Sequence, residues 1–410
     1  ALPFVSDTSS LHPVVRSYRY RLSPTNAQVR CLESWLALTR ELYNAALQER
    51  RDAWRKQQIR ISAYDQMSAL PDVRGVRPEF GAVPNVVQRG AIRRLDRAFA
   101  AFFRRCKAGE KPGYPRFRGR GRFESILIDD LCGKNPIIAG GKRVKIPMLG
   151  KVKFRQHRPM EGTPKAMRLT RDAGGRWFVT FACVDVPVRP LPPTGKNVGV
   201  DLGLTSFIAT SDGDLVPNVA PGKTARRALE RAQRRVSRRR RGSKRRRVAV
   251  RLLARAHAHV ANIRRERHIT LARGLVAAYD TICVEKLNIK GLAGGMLAKS
   301  VHDAGWGDFL RWLHVKAESA GRVVVEVDPR GTSQVCSACG VVVAKDLSER
   351  THRCSDCGLI ANRDVNAARN ILRAGLALRG AASPVRERRR SAKPKSVRRP
   401  DHISAAPGDL

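Results

Sequence analysis

Acidic residues are scarce in this chain. Against 80 Lys and Arg stand 35 Asp and Glu in 410 residues, a formal charge of +45 at pH 7. A compact fold with that excess repels itself unless a polyanion neutralises it. Long apolar runs are missing as well. None approaches the eighteen residues of a membrane span, and no charged-then-apolar leader opens the chain, so it reads as soluble and intracellular. Aromatics make up 6%, and no basic amphipathic helix carries an aromatic face, which sets a membrane surface aside as the polyanion. Nucleic acid remains. The hydrophobic content of 42% excludes disorder throughout, and the length suffices for about two to four cores.

The chain changes period along its length. Residues 14–22, "VVRSYRYRL", alternate as a strand. From 27 to about 58, apolar residues at helical spacing (Leu32, Trp35, Leu36, Leu42, Tyr43, Ala46, Leu47) predict a helix with Thr25 or Asn26 as its N-cap. A second helix is expected over 85–108, with Val87, Ala91, Leu95, Ala98, Phe99, Phe102 and Phe103 on its buried side. "GEKPGYPRFRGRGR" then reads as a loop. Residues 123–186 are short β-branched runs that argue a small sheet or barrel, and "VPVRPLPPTGK" is a semi-rigid linker. Two or three strands follow, then a helical region over 224–279, the strand "TICVE", a helix over 307–320, the strand "RVVVEV" and a last helix over 364–378. The Arg/Pro/Ser-rich remainder reads as a disordered basic tail.

Of nine cysteines, Cys31, Cys106, Cys132, Cys183 and Cys283 are scattered singly and read mostly as small buried hydrophobes. Cys336, Cys339, Cys354 and Cys357 form two CxxC pairs with fourteen residues between them. That pattern suits a tetrahedral thiolate site for structural Zn²⁺ with no open position. A thioredoxin-like redox pair is the alternative for one CxxC alone, and His352 reads as a bystander.

Three carboxylates sit at element ends: Asp201 in "VGVDLGL", Glu285 closing "TICVE" and Asp364 in "ANRDVNAARNIL". Taken singly, a strand-end Glu is often exposed, and Asp364 is best read as a helix cap. Asp201 differs, because an isolated carboxylate in an apolar strand needs a metal or hydrogen bonds. Together the three make one acidic site of hard oxygen ligands, which select Mg²⁺ or Mn²⁺. The basic stretch 223–251 holds fifteen Lys/Arg against Glu230 alone; Arg234, Arg235, Arg238, Arg239 and Lys244 are its candidate phosphate contacts. Tyr114, Arg116 and Arg118 mix an aromatic with arginines as base stacking would need, or anchor a loop through Tyr114 and Phe117.

The element order is that of an α/β RNase H-like domain with a zinc ribbon inserted before its last helix. "VGVDLGL", "VEKLNIKGL", "TSQVCSACG…CSDCG" and "NRDVNAARNIL" resemble the RuvC and zinc-ribbon motifs of the TnpB family of transposon-encoded RNA-guided nucleases, motifs shared with compact type V CRISPR effectors. "RSYRYRLSPTNAQ" and "LDRAFAAFFRRCKAGEKPGYPRFRGRGRFESI" resemble that family's N-terminal half. The resemblance implies a β-barrel wedge (1–24 and 112–190) around a helical recognition lobe (25–111), a RuvC-like nuclease (191–328 and 362–378), a zinc ribbon (329–361) and a basic tail (379–410). It further implies catalytic roles for Asp201, Glu285 and Asp364, a guide RNA and target double-stranded DNA as partners, no membrane, a monomer or homodimer on one RNA, and a cytoplasmic, nucleoid-associated place in a prokaryote. The expected activity is two-metal hydrolysis of DNA beside a short flanking motif. Alternatives stay open: an RNA-guided DNA-binding regulator without cleavage, a compact CRISPR effector, a transposase, and an actin-like ATPase, for which "GVDLGLT" fits but a second Asp-x-Gly loop is missing.

Overall fold

The computed structural model describes residues 14–131, 136, 142–218, 223–292, 294–295, 298–346 and 349–382; Cys132 and most of the expected tail lie outside them. In chain order the elements are β1 (Val14–Ser23), α1 (Asn26–Gln57), α2 (Ala63–Ser68), α3 (Leu70–Val76), a 3₁₀ turn (Pro78–Ala82), α4 (Asn85–Lys107), β2 (Ser125–Ile128), β3 (Arg143–Ile146), β4 (Gly150–Arg155), β5 (Thr163–Arg171) and β6 (Trp177–Val186). Then follow β7 (Asn197–Asp201), β8 (Ser206–Thr210), β9 (Leu215–Pro217), α5 (Lys223–Ser237), α6 (Lys244–Ala278), β10 (Thr281–Glu285), α7 (Ile289–Leu292), α8 (Ala298–Ala304), α9 (Trp306–Ser319), β11 (Val323–Val327), β12 (Thr351–Arg353), β13 (Ile360–Asn362) and α10 (Arg363–Ala382). The chain divides into two compact units: Ala1–Arg189 with Lys223–Asn262, and Pro190–Gly222 with Ile263–Leu410.

In the first unit, Thr25 opens α1 with a reciprocal cap. Its Oγ1 accepts from Gln28 N at 3.3 Å, and Gln28 Oε1 accepts from Thr25 N at 3.0 Å, satisfying two donors that a helix start leaves unpaired. Six antiparallel strands run in the order β2-β5-β6-β1-β4-β3. On β6 every second residue, Trp177, Val179, Phe181 and Cys183, is buried and packs with Tyr20, Leu32 and Trp35. That alternation is what one covered sheet face dictates. On α4 the periodicity misplaces one residue: Phe103, expected inside, is 47% exposed.

The helical region expected over 224–279 is two helices. Four consecutive arginines (238–241) crowd like charge where α5 ends, and Gly242 turns the chain at φ +83°, a conformation glycine adopts without strain. Ser243 Oγ then accepts from Arg246 N at 3.1 Å as the cap of α6. Arg246 Nη1 reaches back to the carbonyls of Val236 and Arg239 at 2.8 and 3.2 Å, satisfying the end of α5.

The second unit is built on a five-stranded sheet in the order β11-β10-β7-β8-β9. β7, β10 and β11 are parallel; β8 and β9 are antiparallel to their neighbours. Every residue of β10 is buried, as a parallel strand covered on both faces requires. One face packs against Ala272, Leu275 and Val276 of α6 and Phe309 and Leu313 of α9. The other takes α10, which approaches so closely that a Cβ on Gly199 would lie 1.9 Å from Ala368 O, and one on Gly375 would lie 2.3 Å from Cys283 Sγ. α10 continues to Ala382 rather than stopping near 378.

Candidate active site and metal centre

Asp201 ends β7 and Glu285 ends β10. These strands are parallel neighbours whose last registered pair is Val284 and Val200, so both carboxylates leave the same sheet edge at the carboxyl ends of the strands. Ligand sites of open α/β sheets collect at that edge. α10 lays Ala368 over Gly199, which brings its first turn, with Asp364, to the same place. Gly203 of "DLGL" lies beside that carboxylate, its Cβ position 3.9 Å from Asp364 Oδ2, and a side chain there is excluded by Ser206 O at 2.7 Å.

Asp364 is not the helix cap. Asn362 Oδ1 accepts from the backbone N–H groups of Asp364 and Val365 at 2.9 and 3.3 Å, which leaves the Asp364 carboxylate for other work. Burial, then the charges of Glu285 and Asp364, push the Asp201 carboxyl up to about 8; the Leu202 N–H and Arg363 act weakly the other way. Burial also raises Glu285, opposed by the Thr332 hydroxyl. Three hard oxygen donors whose burial and neighbouring negative charge disfavour ionisation without a counter-charge fit a divalent cation such as Mg²⁺ or Mn²⁺.

Thr332, Asn366 and Asn370 lie inside the family-like motifs "TSQVCSACG" and "NRDVNAARNIL" without a role that the sequence assigns, and they hold this site to the cysteine cluster. Thr332 Oγ1 donates to Glu285 Oε1 at 2.5 Å. Asn370 Nδ2 donates to Thr332 O and Val335 O at 2.9 and 2.7 Å. Asn366 Nδ2 donates to Val335 O at 2.8 Å, and its Oδ1 accepts from Ser337 N at 2.9 Å. The segment entering the first CxxC is therefore clasped by α10 two and six residues beyond Asp364, and grips Glu285 through one hydroxyl.

The Sγ atoms of Cys336, Cys339, Cys354 and Cys357 all lie within 4.8 Å of one another; among the described residues this is the one group of metal-ligating atoms so close. Sγ–Sγ separations of 3.6 Å for Cys336–Cys357 and Cys339–Cys354 match the roughly 3.8 Å edge of a tetrahedron with Zn–S bonds of about 2.3 Å. Burial raises the Cys336 thiol, but the N–H groups of Cys339 and Ala338 outweigh it and bring it down to about 5, which favours a thiolate there; Cys339 and Cys357 are raised, despite the Val341 and Leu359 N–H groups, so without a metal the four do not ionise together. His352 lies outside this group, buried on β12 with Nδ1 against Lys345 Nζ.

The candidate nucleic-acid contacts belong to the first unit. Arg234, Arg235, Arg238 and Arg239 line one basic concavity of α5 together with Arg231, and Lys244 is exposed at the start of α6. Tyr114 and Arg116 are exposed, whereas Arg118 is held down: its N–H donates to Asn44 Oδ1 at 2.8 Å, and its guanidinium lies over Tyr43.

Three family models match: "Helix-turn-helix domain" over residues 14–58, "Probable transposase" over 181–295 and "Cas12f1-like, TNB domain" over 306–371. A protein of Streptomyces pristinaespiralis named "Putative RNA-guided DNA endonuclease" is 33% identical over 389 residues, 93% of this chain and 95% of that one. The chain belongs to the TnpB family. A second relative, "Putative RNA-guided DNA endonuclease InsQ" of Escherichia coli K12, is 28% identical over 72% of this chain and 75% of its own. The fold is similar to that of the protein in a solved Cas12f1–sgRNA–target DNA complex, with a TM-score of 0.54 at 13% identity, covering 88% of this chain and 98% of that one. The transposase match holds Asp201 and Glu285, and the TNB match holds Thr332, the four cysteines and Asp364. The residues matched as helix-turn-helix are here one strand and one long helix.

Proposed function

We propose that this TnpB-family chain is an RNA-guided endonuclease that hydrolyses DNA beside a short flanking motif, with Asp201, Glu285 and Asp364 as its catalytic carboxylates. The observation that carries the reading is the convergence of the three at one sheet edge, where α10 lies over β7 beside the ends of β7 and β10; burial, and then the charges of Glu285 and Asp364, raise the Asp201 carboxyl there. Two divalent ions held there would supply an activated water and charge stabilisation at the leaving oxygen. The chain's own part is to fix the carboxylates. Asp201 and Glu285 are set by strand register, Asp364 by the Asn362 cap, and Glu285 again by the Thr332 hydroxyl. The four cysteines take Zn²⁺ as a structural ion with no open position.

Base pairing with a guide RNA supplies sequence specificity in such a system, and the protein supplies the motif check and a basic channel. The helices of the first unit are assigned to a recognition lobe and its six-stranded sheet to a barrel-like wedge. Retention of all three carboxylates argues against a regulator that binds without cutting. The deciding experiment sequences the RNA that co-purifies with the chain and then cleaves a plasmid matched to it in Mg²⁺. Cleavage by the intact chain and none by Asp201→Ala is the expected result. Cleavage that survives this substitution refutes the catalytic assignment, and absence of bound RNA refutes the guided reading.

A further inference from the structure

In the first unit an open groove of about 630 Å³ lies between the C-terminal halves of α1 and α4 and the segment 59–62. Its walls are aromatic: Trp54 on α1, Phe99, Phe102 and Phe103 on α4, and Tyr114 just beyond. The rings brace one another. Phe99 and Phe103 stack with centroids 6.3 Å apart, and Tyr114 meets Phe99 and Phe102 edge-on at 5.6 and 5.4 Å. Their outer parts are bare, with Trp54 50%, Phe103 47% and Tyr114 45% exposed. Half-exposed aromatics gathered in one concavity mark a binding surface rather than scattered surface apolarity.

Arg50 also lines this groove. Its side chain is 9% exposed and lies 5.5 Å from the Phe99 ring centroid. Nε donates to Gln66 Oε1 at 2.9 Å and Nη1 to Asp96 Oδ1 at 3.1 Å, but buried Nη2 has no partner. A guanidinium so deeply placed with a free donor points to an acceptor brought by something else. Besides Arg50, Arg60 stands in the wall, where Asp96 is the one acid and is engaged by Arg50, and the two helices that form the walls end in cationic turns, Arg55 and Lys56 on α1 and Arg104, Arg105 and Lys107 on α4.

We propose that this groove is a stacking site for an unpaired nucleobase of a single strand, the rings taking the base and the rim its flanking phosphates. The inference rests on the nucleic-acid reading above and deepens it. Charge selects the occupant: a strand of phosphates complements the rim, whereas a second copy of the chain docked on the same face would set the cationic rim against itself.

The test uses the full chain and a single-stranded 12-mer carrying one 2-aminopurine, as DNA and as RNA. Binding by the unaltered chain quenches the 2-aminopurine. The double variant Phe103→Leu/Tyr114→Leu keeps apolar volume but removes two π faces. It is expected to bind at least about ten-fold more weakly and to lose most of the quench. The dependence of log affinity on log salt stays as it was, because no phosphate contact is removed. Arg60→Gln lowers that slope by about one and keeps the quench. Trp54→Leu, on the opposite wall, serves if the double variant does not fold. Unchanged affinity and quench in a folded variant overturn the proposal. So does a sedimenting dimer that the same substitutions disperse, since the groove then belongs to a second copy. Guided cleavage is measured separately on the unaltered chain. Its absence, with stacking lost in the variant, refutes the nuclease reading and spares the site; its presence, with stacking retained in the variant, does the reverse.

Discussion

A proton held by burial, and after that by neighbouring charge, is the chemical mark of Asp201. Buried and flanked by Glu285 and Asp364, its carboxyl is held near 8, so the metal-free folded chain keeps a proton that the unfolded chain has released. Stability then falls as pH rises from the ordinary carboxylate range toward 8, with a slope of up to about 1.4 kcal/mol per pH unit, because the folded state binds more protons. Asp201→Asn removes that slope. Thermal unfolding in magnesium-free buffer is expected to show the variant gaining on the parent between pH 5 and 8; parallel pH profiles would contradict the assignment. With Mg²⁺ the same variant loses cleavage on the order of a thousand-fold, several kcal/mol of transition-state stabilisation. Asp201 was legible in the sequence because charge inside an apolar strand is anomalous by itself. Thr332 was not: a threonine in a loop is ordinary, and its meaning comes from Glu285, 47 residues away in the chain.

Elements hold these residues in place, and α10 holds most. Its contact with β7 depends on the missing side chain of Gly199. Gly199→Ala must lift the helix from the sheet, costing about 1–3 kcal/mol as overpacking does. It should separate Asp364 from Asp201, so cleavage falls more than the melting temperature alone would account for. The segment that carries the first cysteine pair is tied to the same helix through Asn366 and Asn370. Cys354→Ser is expected to lower zinc content by elemental analysis and to raise hydrogen exchange in the first turns of α10; normal zinc would refute the four-cysteine site. Thr332→Val strands a buried carboxylate without its donor, an effect of about 1–3 kcal/mol. It should raise the Mn²⁺ concentration needed for half-saturation in a direct binding titration, with Thr332→Ser restoring the parent value. Element type followed from periodicity across most of the chain. Phe103 escaped because helical spacing identifies an apolar stripe but cannot show that its flank lacks a covering element.

At the scale of the whole molecule the charge of +45 has to be answered by a polyanion, and the first unit shows where part of it is concentrated. Arg231, Arg234, Arg235, Arg238 and Arg239 share one concavity on α5. Among the described residues the one acid paired on that helix is Glu230, 3.4 Å from Arg226. Composition alone announced the polyanion, but only α5 and the turn that follows it gather these five arginines around one concavity. If they meet phosphates, each contact releases condensed counterions, so log affinity falls with log salt by about 0.7 per contact for single strands and 0.9 for duplex DNA. Replacing Arg234, Arg235, Arg238 and Arg239 by Gln is therefore expected to lower the slope for the co-purified RNA by about three. Zinc content should stay at the parent value, because the four cysteines belong to the second unit and the four arginines to the first. A slope that does not change places the RNA elsewhere on the surface and leaves α5 a solvated charged face.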